Sequence, residues 1–188
     1  MFFAVSNRII YILSALGAVI SLVLYTVSNQ TRDVIIYLQV PLAAAAVVLL
    51  PLYEKITGKA LPRSLNALVL LQITLSSFLG SALKFYHTLP LWDKLMHTSF
   101  GLLAAALFYH MLSPNLIQNF LSVMGAASLW EVFEFAADKL FGGDAQRVAT
   151  SLRAGVNPID DTMLDIIVTA LGFSLYLLFK KRNKPHKL

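Results

Sequence analysis

Residues 162–188 read TMLDIIVTALGFSLYLLFKKRNKPHKL. From Thr162 to Phe179 the run is apolar apart from Asp165 and a few small polar residues. A bilayer core about 30 Å thick needs about 20 such residues as a helix. Lys180, Lys181, Arg182, Lys184 and Lys187 follow at once in the 180–188 tail. A basic cluster directly after an apolar span reads as a cytoplasmic stop signal facing anionic headgroups.

Working outward, five further stretches have the same character: 9–27, 34–53, 65–85, 94–112 and 116–137. The chain is 57% hydrophobic and 13% charged over 188 residues. A soluble domain carries about 25% charge, so a chain this apolar could not cover its own surface with polar groups. Lipid removes that conflict, because it accepts apolar side chains on the outside. The expected fold class is all-α: one polytopic transmembrane bundle of about six helices, with no internal repeat. The first run follows Arg8 and imitates a signal peptide. It is long for an h-region and has no clear small-x-small cleavage site, so a retained helix is expected. Pro41 and Pro51 are expected as kinks or ends of the second, and Ser113-Pro114-Asn115 as a tight turn after the fourth.

The formal charge of +5 sits largely in the tail. No nucleic-acid motif or aromatic-basic groove accompanies it, so membrane lipid, not nucleic acid, is the expected partner. With no cysteine, disulfides, thiolate metal sites and cysteine nucleophiles are excluded. Six spans put both termini on one side. That side holds Arg8, Lys55, Lys59, Arg63 and the tail; the other holds Arg32, Lys84, Lys94, Lys139, Arg147 and Arg153. The excess favours cytoplasmic termini.

Eight of the ten acids fall between Asp93 and Asp165, all toward the other membrane face. Residues three and four apart share a helix face. Asp93 pairs in this way with His97, Glu131 with Glu134 and then Asp138, and Asp161 with Asp165. Small residues continue these faces inward: Gly101 below His97, Ser128 and Gly125 below Glu131, Thr169 and Gly172 below Asp165. Small residues let helices approach closely, so three acidic stripes are expected to converge on one outward-facing site. Asp93, Asp160 and Asp161 also suit helix N-termini, where acids cap free amides. Glu131 and Glu134 lie where the helix dipole opposes them, and intramembrane ionisable groups are functional by default.

Asp93, His97, Glu131, Glu134, Asp138, Asp161 and Asp165 are therefore candidate metal ligands. Carboxylates with one imidazole suit Zn²⁺, Mn²⁺ or Fe²⁺, and carboxylates alone suit Mg²⁺ or Ca²⁺. A proton or a nearby base such as Lys94, Arg147 or Arg153 could balance them instead. The same three bases are candidates for a polar lipid headgroup. If the protein is an enzyme, a held metal would polarise a phosphoryl or carbonyl oxygen or activate water, with Glu131 or Glu134 as base. Neither Glu-x-x-His nor H-E-x-x-H, a Walker loop, G-x-S-x-G or a Rossmann fingerprint is present. Enzyme, cation- or proton-coupled transporter and non-catalytic envelope factor all stay open, as does oligomeric state. The long 139–159 loop is expected to carry a short interfacial helix over 145–152.

Trp92-Asp93-Lys94 with His97 and Gly101, Trp130-Glu131-Val132-Phe133-Glu134, Asp138, and Asp161 with Asp165 and Gly172 resemble the YjdF-like family of bacterial inner-membrane proteins. A fainter similarity reaches VanZ-like proteins, which share the Asp-Lys-x-x-His helix start. The resemblance covers roughly Tyr86 to Leu178. It implies a small multi-helix protein of the bacterial cytoplasmic membrane and supplies no reaction.

Overall fold

The computed structural model describes residues 45, 48–112, 115–153, 155 and 157–182, with scattered positions between 9 and 23. The runs 9–27 and 34–53 lie largely outside the described residues; the positions described within 9–23 are helical. Residues 48–57 are helical, so Pro51 does not end that segment. It stops at Gly58, whose φ of 67° is left-handed and whose amide closes on the Glu54 carbonyl at 3.0 Å. Glycine reaches that conformation without a Cβ penalty.

Six numbered helices follow. They are α1 (Arg63–Leu75), α2 (Phe85–Thr88), α3 (Trp92–Met111), α4 (Leu116–Phe141), α5 (Val148–Arg153) and α6 (Pro158–Arg182). Every regular element among the described residues is helical.

The limits differ from the apolar runs for identifiable reasons. α1 widens into a π-helical turn over Ser76–Ala82, a local change of winding that hydrophobic periodicity does not register. Ser77 Oγ bonds back to the Ile73 carbonyl at 2.9 Å, and a Cβ on Gly80 would run into the Tyr86 ring. α4 is capped by Asn115, whose side chain accepts the Ile117 and Gln118 amides. It continues past Ala137 to left-handed Gly142 at φ 73°, because Asp138 and Lys139 are compatible with a helical backbone. α6 begins four residues before its apolar run, at Pro158, a residue suited to the first helical turn. Asn157 Oδ1 accepts the Ile159 amide at 3.2 Å. The short loop helix lies over 148–153, toward the end of its expected range.

Among the described residues, three segments are long and apolar enough to cross a membrane: Arg63–Ala82, Leu116–Phe141 and Pro158–Lys181. α3 is not among them, and its position explains why. It packs most extensively on α6 and also contacts α4 and α1. The central helix can carry polar residues because its neighbours stand between it and lipid. The outer surfaces of those neighbours are apolar: Leu129, Val132 and Phe135 of α4 and Ile167, Leu171 and Leu178 of α6 are all exposed. Lipid suits such surfaces.

The α3–α6 contact is close enough to exclude side chains. A Cβ on Gly101 would strike the Thr169 carbonyl, and one on Gly172 would strike the Thr98 carbonyl. Thr169 is fully buried at this crossing. Ala104, Ala105, Val123 and Phe173 form the apolar cluster beyond it. Asn119 Nδ2 donates to the Ala105 carbonyl at 3.0 Å and ties α4 to α3. At the far end, Lys180 Nζ sits 3.3 Å above the Tyr109 ring centroid, a cation–π contact that joins the end of α6 to α3.

The small residues expected to bring α4 close behave differently. Gly125 and Ser128 are exposed, and a Cβ on Gly125 would meet nothing within 4 Å. The buried stripe of α4 is instead Asn119, Val123, Ala127 and Glu131, one residue per turn.

Gly101→Ala and Gly172→Ala should each lower stability by about 1–3 kcal/mol, since a backbone carbonyl must move aside. Gly125→Ala should be neutral or stabilising by up to about 1 kcal/mol, as glycine costs that much in a helix interior. Thermal unfolding of the three purified variants in detergent distinguishes these outcomes.

Candidate functional site

Three helices lead to one place. Asp93 and His97 are buried on α3, Glu131 on α4, and Asp165 and Thr169 on α6. The glycine-mediated crossing holds the α3 and α6 backbones together one turn below His97 and Asp165. Side chains of ordinary length from the two helices therefore meet.

Lys94 is the cation at the centre. Its Nζ donates to Asp161 Oδ1 at 2.7 Å, to Asp165 Oδ1 and Oδ2 at 2.8 and 2.9 Å, and to Asp93 Oδ2 at 3.1 Å. The Asp161 carbonyl adds a contact at 3.3 Å. The ammonium thus binds the first turn of α6 to the first turn of α3.

His97 faces a second set of oxygens. Its Nε2 lies 3.6 Å from Asp93 Oδ1, 3.8 Å from Asp165 Oδ1 and 4.0 Å from Glu131 Oε1. These separations exceed hydrogen-bond length. Glu131 Oε1 is buried and accepts no hydrogen bond from the described residues. Asp93, His97 and Asp165 can present ligand atoms within 4.8 Å of one another. Asp93 divides its oxygens between the two centres: Oδ2 to Lys94, Oδ1 toward His97.

The other candidates are engaged elsewhere. Glu134 accepts the Trp130 indole N–H at 2.8 Å. Asp138 accepts the Ala145 and Gln146 amides at 2.7 and 2.9 Å, which folds the loop after α4 back on itself. Arg147 occupies a left-handed backbone position, φ 54°, within that loop. Arg153 ends α5, and its side chain falls outside the described part. The ion pairs among the described residues of the site are made by Lys94 and His97. Lys94, a candidate for headgroup phosphate, is held by carboxylates.

Gln146 was not legible as a site residue. Its Nε2 reaches the Glu131 carbonyl at 3.3 Å and Thr162 Oγ1 at 3.4 Å, so the loop bridges α4 and α6 beside Glu131. A lone loop glutamine carries no signal in sequence; only the turn held by Asp138 brings it there.

The arrangement is that of an all-helical membrane protein with a buried acidic cluster near one end of the bundle. Residues 9–184 match the family described as predicted membrane protein (DUF2238), and the chain belongs to that family. A protein of Thermotoga maritima described as uncharacterized is 29% identical over 130 residues, which cover 64% of this chain and 63% of the relative. The chain therefore spans less than two thirds of that relative's length. No solved structure matches.

Removing the ammonium leaves Asp161 and Asp165 without their cation. Breaking a buried pair costs about 3–5 kcal/mol, and some exposure at Lys94 and Asp161 reduces that. Lys94→Met should lower stability by about 2–3 kcal/mol on those grounds, and adding Asp161→Asn should restore part of it. A double-mutant cycle on unfolding in detergent measures the coupling, and strict additivity would contradict the network.

Proposed function

We propose that the protein binds a divalent cation in this cluster, at the outward-facing end of a bundle whose termini lie in the cytoplasm. The observation that carries the reading is Glu131 Oε1, a buried carboxylate oxygen with no hydrogen-bond donor among the described residues, directed at the His97 imidazole. Asp93, Asp161 and Asp165 surround a single ammonium and Glu131 lies beside His97, a formal excess of three negative charges with all four ionised and His97 neutral. A divalent cation offsets most of that excess. An anionic phosphate headgroup would add to it, so the cation is favoured over the headgroup. The resemblance to YjdF-like bacterial inner-membrane proteins and the basic tail support a cytoplasmic-membrane location with the site facing out. The VanZ-like similarity carries no part of this reading.

The packing favours a one-sided site over a transport path. Thr169 is fully buried beneath His97 and Asp165, and the cluster of Ala104, Ala105, Val123 and Phe173 lies beyond. A relay across the membrane needs ionisable groups that continue past this point.

The Lys94 network supports a second reading, in which the acids are interhelical glue. The two readings separate at Glu131. As glue, Glu131→Gln should unfold the protein more easily. As a ligand, it should leave unliganded stability near the wild-type value.

Under the cation reading, a divalent ion at about 100 times its Kd should stabilise the wild type by about 2.7 kcal/mol. Inorganic phosphate should not. Glu131→Gln should lose that stabilisation. Asp138→Asn should keep it while lowering the baseline, since Asp138 holds only the loop. Thermal unfolding in chelator-treated detergent with added Zn²⁺, Mn²⁺, Mg²⁺ or Ca²⁺ is the measurement, and no shift with any of them would refute cation binding.

A further inference from the structure

We infer that the cation is a first-row transition metal, bound by His97 Nε2, Asp93 Oδ1, Asp165 Oδ1 and Glu131 Oε1, with Lys94 and Asp161 as a fixed charge partner outside the ligand set. The inference rests on the cation reading above and adds the class of ion and the donor atoms.

The geometry separates two tasks that composition merges. Lys94 takes Asp93 Oδ2, Asp161 Oδ1 and Asp165. Asp93 Oδ1 and Glu131 Oε1 are left facing His97 Nε2 at 3.6 and 4.0 Å, with Asp165 Oδ1 at 3.8 Å shared between the two centres. Donors too far apart to bond one another are suitably placed to share an ion. Ligands about 2.1 Å from a tetrahedral metal lie about 3.4 Å apart, so each of these oxygens is within a few tenths of an ångström of the separation from His97 Nε2 that a shared ion would set.

Burial supports the assignment independently of the acidic composition. Glu131 retains 6% of its surface and Asp165 3%. A carboxylate oxygen that is desolvated, acceptor-only and without a donor needs a cation or a proton. Asp165 also bonds the ammonium, but Glu131 Oε1 has no such partner.

The imidazole decides the class. Ca²⁺ and Mg²⁺ take oxygen ligands, and an imidazole at the centre of the set would displace one. Imidazole with carboxylates suits Zn²⁺ and Fe²⁺, and Mn²⁺ accepts the carboxylate-rich remainder. The nearby ammonium also lowers the net negative charge on which hard-ion sites depend for affinity. A metal here would replace missing hydrogen bonds at Glu131 and leave the Lys94 bridge in place.

The test is equilibrium dialysis of the full chain in detergent, stripped with chelator, against Zn²⁺, Mn²⁺, Mg²⁺ and Ca²⁺ separately, read by elemental analysis. Zn²⁺ or Mn²⁺ should bind one per chain, at least about tenfold more tightly than Mg²⁺ or Ca²⁺. His97→Gln should abolish that preference and leave weak binding of all four. If His97→Gln does not fold, Mn²⁺-loaded wild type with ¹⁵N-labelled histidine supplies the second measurement: an imidazole nitrogen coupling in pulsed EPR supports the set. Absence of that coupling, or Mg²⁺ or Ca²⁺ binding as tightly as Zn²⁺ and Mn²⁺, overturns the inference while the cation reading stands. Binding of none of the four ions overturns both.

Discussion

The close crossing of α3 and α6 is the constraint on which the site depends. Gly101 faces the Thr169 carbonyl and Gly172 faces the Thr98 carbonyl, so backbone packs directly on backbone. Within the bilayer, apolar side chains gain little by leaving lipid for one another, and close van der Waals packing drives helix association. Glycine at both contact points permits that packing. One turn away, the short spacing brings Lys94 of α3 within 3 Å of two carboxylates on α6. With a larger residue at either glycine, the same ammonium and acids would face each other across a gap.

A cluster of charges in such a setting has to be partnered. An ionised group at the centre of a span costs roughly 2.5–3.5 kcal/mol on insertion scales, and less toward the interface. The protein limits this cost by position and by pairing. Asp93 and Asp161 lie in first turns, near the bundle end and the favourable end of the helix dipole. Lys94 neutralises part of the remainder. α3, which carries Asp93, Lys94 and His97, is screened by α1, α4 and α6. The polarity of α3 and its central place are therefore two aspects of one arrangement.

Glu131 stands apart from that balance. It lies at the end of the buried stripe that begins at Asn119, well inside α4, where no free amide or nearby ammonium serves its Oε1. Glu134 and Asp138 share its sequence neighbourhood and have ordinary partners in an indole and a loop turn. The contrast singles out Glu131 as the residue whose environment calls for something further.

The helical class, the apolar helices at 116–137 and 162–179 and the gathering of acids between Asp93 and Asp165 were determined by sequence alone. Each follows from local rules: the length of an apolar run, its basic flank, and the spacing of residues one turn apart. Asp93, His97, Glu131, Asp161 and Asp165 were legible together for that reason, as were Gly101 and Gly172 as contact residues. Tertiary structure decided which faces meet. It turned Gly125 and Ser128 outward, gave Asp138 to the loop, set Gln146 beside Glu131 and made Lys94 the counter-ion. Those outcomes depend on the rotation of each helix about its own axis. That rotation is set by packing between segments far apart in the chain, and no local pattern encodes it.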